Sequence, residues 1–364
     1  MTTAFDCMHG RFGFGCMRLP MLGEEVDTER FSEMVDAFLE AGFNYFDTAH
    51  GYLNGQSEIA LRKCLTSRYP RERYVLTDKL SGNFFNSEAD IRPLVDQQLA
   101  ACGVTYFDFF LMHAQSSRNY PKFKQCRAYE TALALRDEGK IRHFGISFHD
   151  SAETLEHILT EYPQIEVVQL QFNYVDYEDA KVQSRKCYEV CMAHGKPVIV
   201  MEPVKGGSLA QLPPRAQAVL DGLHGGSNAS YALRYAAGFE GVTMVLSGMG
   251  SMEMVRDNLS AMKPFQPLSQ QELDAIGRVC DILRGEDLIP CTACRYCTDG
   301  CPQGIAIPDW FAALNAKRQG QTEPLPPREG GRASACVRCG LCEAACPQHL
   351  PIRELLKEAA AALE

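Results

Sequence analysis

The sequence predicts an α/β protein: a closed parallel (β/α)8 barrel followed by a small cysteine-rich domain. Short apolar segments alternate with amphipathic helices eight times between residues 11 and 262. Those segments are apolar throughout instead of alternating with polar residues, the mark of strands buried on both faces in an all-parallel sheet. Beyond residue 287 the composition shifts, and eight of the 16 cysteines fall into two copies of one spacing. The rival architecture, an open doubly wound sheet, calls for a glycine-rich phosphate turn that leads into a helix after an early strand. Here Gly13-Phe-Gly15 leads into Met-Arg-Leu-Pro instead.

Taken in order, residues 11–20 read as a short Gly-rich strand. Asp27-Thr28 caps a helix to Gly42, with Phe31, Val35, Phe38 and Leu39 at helical spacing. A strand over Phe43–Phe46 ends at Asp47, and a helix spans Gln56–Arg68. The strand Tyr74–Thr77 ends at Asp78-Lys79, and Ser87 opens a helix that Gly103 closes. The strand Phe107–Met112 ends at His113, and one helix is expected over Pro121–Glu138. Strands over Ile141–Ser147, Val167–Leu170 and Pro197–Met201 follow, with helices from Ser151 to Tyr162 and from Glu178 to His194 between them. A Gly/Pro-rich loop covers Lys205 to about Gly226; then come a helix (Asn228–Gly238), a strand (Val242–Leu246) and a helix (Ser251–Met262). The expected domains are the barrel (1–262), a helical connector (263–286) whose helix Ser269 caps, and the cysteine domain (287–364). The last contains a helix, a turn at Pro324, Pro326, Pro327, Gly330 and Gly331, and a closing helix over Ile352–Leu363.

At 364 residues the chain exceeds a single hydrophobic core, consistent with this division. A net charge of −10 with no basic stripe excludes a nucleic-acid binder. No apolar run is long enough for a membrane span, and no secretory leader is visible, so a cytoplasmic protein without a membrane partner is expected.

Cys291-Thr-Ala-Cys294-Arg-Tyr-Cys297-Thr-Asp-Gly-Cys301-Pro302 recurs as Cys336-Val-Arg-Cys339-Gly-Leu-Cys342-Glu-Ala-Ala-Cys346-Pro347. Each copy is C-x2-C-x2-C-x3-C-P, the ligand run of a bacterial-type ferredoxin. Three close thiolates wrap one cubane cluster, and the fourth cysteine, before Pro, ligates the other. Two 4Fe-4S clusters follow, one on Cys291, Cys294, Cys297 and Cys346, the other on Cys336, Cys339, Cys342 and Cys301. Structural zinc is the competing reading, and thiolate-bound iron fits a reducing compartment. The other cysteines read as small buried hydrophobes.

In a parallel barrel the active site lies at the C-terminal ends of the strands. Asp47, Lys79 and His113 stand at three successive ends, with Tyr52 in the loop after Asp47. A tyrosine acidified by a neighbouring cation, Lys79, can protonate a carbonyl oxygen as hydride arrives, with Asp47 holding the cation and His113 orienting the substrate.

Phe46-Asp-Thr-Ala-His-Gly-Tyr52, Asp78-Lys79-Leu, Leu111-Met-His113 and Phe144-Gly-Ile-Ser147 resemble the aldo/keto reductases over residues 11–262. The whole chain resembles the branch of that family with a C-terminal dicluster ferredoxin domain. The resemblance implies a barrel reducing carbonyls with a nicotinamide, with Tyr52 as acid and Lys79, Asp47 and His113 completing an intact tetrad. It also implies cofactor contacts at Ser147 and Gln169 (with Phe148 where the family has Asn), at Met201 in place of a stacking Tyr, and at Ser247, Gly248, Met249, Ser251, Asp257 and Asn258. Gly248 and Met254 replace the basic residues that grip a 2′-phosphate, and Arg256 is placed on another helix face. NADH is therefore expected over NADPH, with Lys205 the remaining cation in reach of a phosphate.

Nicotinamide delivers two electrons as hydride, whereas each cluster passes one, so linking them requires a converter such as a flavin or a radical-tolerant substrate. Gly206, Gly207 and Gly248 leave room for a flavin phosphate. The leading expectation is an oxidoreductase that interconverts a small-molecule carbonyl and alcohol, with clusters serving electron transfer to an external ferredoxin or other redox partner. The alternatives are a ferredoxin-linked electron-transfer protein, and a regulatory or binding barrel with structural clusters.

Overall fold

The computed structural model describes residues 5–223, 225–320, 327 and 329–364. Eight parallel strands close a barrel: β1 (Phe12–Gly15), β2 (Tyr45–Asp47), β3 (Val75–Leu80), β4 (Phe107–Gln115), β5 (Ile141–Phe148), β6 (Val167–Gln171), β7 (Val198–Met201) and β8 (Val242–Gly248). Between them run α1 (Thr28–Glu40), α2 (Gln56–Leu61), α3 (Glu88–Cys102), α4 (Tyr120–Gln125), α5 (Ala128–Asp137), α6 (Ala152–Glu161), α7 (Ser184–Ala193), α8 (Pro214–Asp221), α9 (Asn228–Ala237) and α10 (Met252–Met262). Each consecutive pair of strands is hydrogen-bonded, and β8 returns to β1 with Gly15 opposite Gly248. In register, Gly15 meets Asp47 and Ser147 meets Gln169, so the residues at the strand ends share one rim.

The interior is a packed core of Tyr45, Val75, Phe109, Leu111, Val167, Ile199, Met244 and Leu246, with Phe5, Cys7 and Met8 against it. A second, larger core lies between the outer strand faces and the helices, where the apolar stripe of α1 (Phe31, Met34, Val35, Phe38 and Leu39) is buried. Of the cysteines outside the two motifs, all but Cys7 are buried.

Two expected helices are shorter than their apolar pattern. The stretch Pro121–Glu138 breaks into α4 and α5 at Arg127, whose φ is 52°. Helix α7 begins only at Ser184 because Asn173 Oδ1 accepts from the amides of Val175 and Asp176, and Asp179 Oδ1 accepts from those of Lys181 and Val182. Side chains that satisfy the backbone locally displace the helix. Conversely, α8 occupies part of the expected 205–226 loop.

After the barrel, α11 (Gln270–Gly285), capped by Ser269, buries Ala275, Ile276, Val279 and Cys280 against Ala216 and Leu220 of α8. The cysteine domain holds α12 (Tyr296–Asp299), α13 (Ile307–Arg318), α14 (Leu341–Ala345) and α15 (Ile352–Leu363) around Ile289, Ile305, Trp310, Phe311, Leu314 and Leu356. Of the expected Pro/Gly turn, Pro324 and Pro326 lie outside the described residues. No described helix is long and apolar enough to cross a membrane.

Candidate active site

The four tetrad residues come together at the rim. Lys79, fully buried, donates from Nζ to Asp47 Oδ1 at 2.6 Å and to the Thr48 carbonyl at 2.6 Å. Asp47 Oδ2 accepts from Gln169 Nε2 at 2.9 Å. Lys79 Nζ lies 5.2 Å from the centroid of the Tyr52 ring, and that ring meets His113 edge-on at 5.9 Å. Tyr52 is set by a left-handed run in which Gly51 has φ 93°, Leu53 φ 53° and Asn54 φ 56°. Gly51 is also where Phe84 approaches; a Cβ there would stand 2.9 Å from its ring. Beside His113, Ala114 has φ 52° and the β4–β5 register slips, a bulge of the kind that re-aims side chains at barrel rims.

His113 is neutral, because burial and the nearby Lys79 ammonium push its pKa well down. Its Nδ1 lies 2.6 Å from Ser81 Oγ, a shorter contact than the 3.3 Å from that hydroxyl to the His50 carbonyl. With that hydroxyl donating to the His50 carbonyl, Nδ1 carries the ring proton and donates to Ser81 Oγ. Tyr52 departs from expectation. Burial, then the Asp47 carboxylate, push its phenol above its ordinary pKa. Lys79 is paired with Asp47, and its ammonium lies 5.2 Å from the centroid of the Tyr52 ring.

Above the rim lies a cavity of about 1060 Å³, bordered by Asp47, Tyr52 and Gln169, by Met201, and by the stretch from Ser247 into α10. Gly248, Ser251, Asp257 and Asn258 line it; Ser147 and Met249 do not. Ser147 Oγ accepts the Ala114 amide at 2.7 Å, and the Met249 side chain is fully buried in the core. Arg256 lines the cavity alongside Met254, not a separate face of α10. Lys205 does not reach it: its ammonium is buried between Asp176 and Gln348 Oε1. Gly206 leaves no room for a flavin phosphate on its Cβ side, since a Cβ there would come 2.3 Å from the Thr292 carbonyl.

The cysteines fall into two sets. Cys346 stands beside Cys291, Cys294 and Cys297, each of which feels its charge. Cys301 lines a small pocket with Cys336, Cys339 and Cys342. Among the described residues no three of these thiols lie within 4.8 Å of one another. Four sulfurs on a single tetrahedral zinc would sit about 3.8 Å apart.

Four functional candidates escaped the sequence reading. Tyr296, between two cluster cysteines, lines the barrel cavity together with Thr292 and Cys294. Glu202, with φ 57°, borders the cavity; its Oε2 is buried without a partner among the described residues, and Arg18, also on the cavity, is 4.0 Å from Oε1. His149 lines the cavity, with Nδ1 buried and unpartnered among the described residues. It follows Phe148, whose ring is buried in the core. Only the unpaired atoms single out Glu202 and His149, a signal no sequence carries.

Behind the tetrad, Glu58 and Asp78 form a buried carboxylate pair, with His50 Nδ1 3.0 Å from Glu58. Burial raises Glu58 to about 7, and burial and Glu58 raise Asp78. The folded state therefore holds a proton more tightly than the unfolded chain. The resulting stabilisation is full below the ordinary carboxylate range and is lost as pH rises through 7. Glu58→Gln is expected to flatten this loss by ~1–3 kcal/mol between pH 4.5 and 7.5 in denaturant melts; a parallel slope in both proteins would show that the pair is ionised.

The aldo/keto reductase family model matches residues 11–281, and a 4Fe-4S dicluster domain model matches residues 290–350. The NADH-specific methylglyoxal reductase of Escherichia coli is 29% identical over 197 residues, 48% of this chain. The chain spans 57% of that relative's length. An uncharacterized oxidoreductase of Schizosaccharomyces pombe is 26% identical over 269 residues, 70% of this chain and 82% of its own length. The holo form of an aldo-keto reductase from Bacillus halodurans superimposes with a TM-score of 0.60 at 26% identity, covering 74% of this chain and 92% of its own. An aldo-keto reductase from Klebsiella pneumoniae in complex with NADPH shares the fold, with a TM-score of 0.59 at 21% identity, over 74% of this chain and 90% of its own. The barrel, its rim residues and the match over residues 11–281 together show that the chain belongs to the aldo/keto reductase family, with a 4Fe-4S dicluster domain at its C-terminal end.

Proposed function

We propose that the protein reduces the carbonyl group of a small molecule with a nicotinamide at the Tyr52 site, and that it carries two 4Fe-4S clusters. The observation behind this reading is the buried Lys79–Asp47 pair under Tyr52 at the floor of the cavity. When bound, the reduced nicotinamide supplies a hydride to the carbonyl carbon. Tyr52 gives its phenolic proton to the carbonyl oxygen, which completes the alcohol. Lys79 stabilises the phenolate left behind, and Asp47 keeps Lys79 in place. His113 packs edge-on against Tyr52 and holds its ring in place. Gln169 has committed its amide nitrogen to Asp47, which leaves its oxygen for a carboxamide, and His149 Nδ1 is a second polar group for the same end. The helix N-terminus of α10 behind Ser251 suits a pyrophosphate.

The cluster ligands are the two cysteine sets named above, and the clusters when bound supply one-electron redox chemistry. An external ferredoxin or similar carrier is the matching partner. NADH is favoured, because Arg256 shares the cavity wall with Glu253, and Arg18, also on the cavity, is engaged by the Thr292 carbonyl and Glu202. The first test is anaerobic NADH oxidation with methylglyoxal and other small aldehydes, repeated with NADPH. NADPH used about tenfold better in kcat/KM would overturn the cofactor preference; no turnover with either cofactor would count against carbonyl reduction.

A further inference from the structure

The first cysteine loop is built into the barrel's rim. Arg18 Nη2 donates to the Thr292 carbonyl at 2.7 Å. The same carbonyl rests on Gly206, whose φ of 66° and missing Cβ allow the approach. Nearby, buried Lys205 ties Asp176 of the barrel to Gln348 of the cysteine domain. A loop anchored this way is a fixed wall, and it presents Tyr296 to the tetrad. The Tyr296 hydroxyl meets that of Tyr52, and its ring meets His113 edge-on at 6.2 Å. Tyr52 and Tyr296 both line the cavity, whereas His113 does not. Tyr296, packed against His113, therefore borders the space a substrate enters, and His113 does not.

We propose that Tyr296 is a further catalytic residue: its hydroxyl, from the cysteine domain, is the second hydrogen-bond donor to the carbonyl oxygen that Tyr52 protonates, with His113 packed behind it. This rests on the carbonyl-reduction reading above. An oxygen within reach of the Tyr52 hydroxyl is also within reach of the hydroxyl that faces it. Both groups are phenols, neutral donors that need no counter-charge at the rim. As hydride reaches the carbon, negative charge grows on the oxygen, the proton comes from Tyr52, and Tyr296 keeps its own proton while its hydrogen bond strengthens. Removing one such donor typically costs 10²–10³-fold in kcat. The cysteine domain would then complete the barrel's active site, whatever its clusters do.

The test compares Tyr296→Phe and His113→Gln in the cluster-loaded, full-length protein. Tyr296→Phe is expected to lower kcat by about 10²-fold and to exceed the effect of His113→Gln. An undiminished kcat in Tyr296→Phe, with intact clusters, overturns the proposal. The second readout needs no turnover: calorimetric binding of N-cyclohexylformamide, an aldehyde analogue that accepts no hydride, to the NADH-loaded protein. Wild type is expected to bind it about tenfold more tightly than Tyr296→Phe. Tyr296-dependent binding without turnover of any carbonyl would leave the donor pair standing and remove the reduction reading. Equal binding by both proteins, or binding by neither, overturns the donor pair itself.

Discussion

Tyr52→Phe is expected to lower kcat for carbonyl reduction by roughly 10²–10⁴-fold, the range for loss of a positioned general acid. Nicotinamide binding and the spectra of both clusters should stay as in wild type. The phenol ring packs edge-on against His113 beneath the cavity, so removing the hydroxyl leaves the packing in place. The pH dependence separates this mechanism from one with an acidified tyrosine. Burial and Asp47 hold the phenol protonated, so the acid form is fully populated across neutral pH. A developing alkoxide is a stronger base than a phenolate, so it takes the proton even from an unacidified phenol. Reduction is therefore expected to be independent of pH from 6 to 9. Alcohol oxidation needs the phenolate as base and is expected to climb with pH over the same window. Loss of reduction with an inflection near neutrality would show that Lys79 acidifies Tyr52 after all.

The tetrad was legible because a parallel barrel brings every strand end to one rim. Asp47 and Lys79 stand at the ends of consecutive strands, where hydrogen-bonded register leaves them little freedom, and His113 follows on the next strand at its bulge. The acidity of Tyr52 was not legible, since it depends on burial and on the Asp47 carboxylate beside it. Tyr296 was hidden for another reason. Its place opposite Tyr52 is set by the docking of a separate domain, through Thr292 on Gly206 and Arg18, and no periodicity encodes that contact. Gly206 in turn reads as space for a phosphate when its neighbour in the fold is unknown. At the helix starts, Asn173 and Asp179 competed with the apolar pattern, and local backbone capping won.

Cys346→Ser is expected to remove the cluster of the first cysteine loop, although Cys346 belongs to the second motif. Cys346 stands with Cys291, Cys294 and Cys297, while Cys301 shares its pocket with the second motif's first three cysteines. Iron content should fall by about half in Cys346→Ser and equally in Cys301→Ser, but the surviving cluster should differ between them, with distinguishable EPR signals after reduction. The two variants should also part at the barrel. The first loop carries Tyr296 and Cys294 into the cavity, so loss of its cluster frees the wall opposite Tyr52 and lowers carbonyl turnover. The Cys301 set lies apart from that cavity, and none of its four cysteines lines it, so Cys301→Ser should spare turnover unless electrons must pass through the second cluster. A Cys346→Ser protein that keeps the EPR signal lost in Cys294→Ser would refute the exchange of fourth ligands. Equal turnover in both would mean that the loop holds its shape without its cluster.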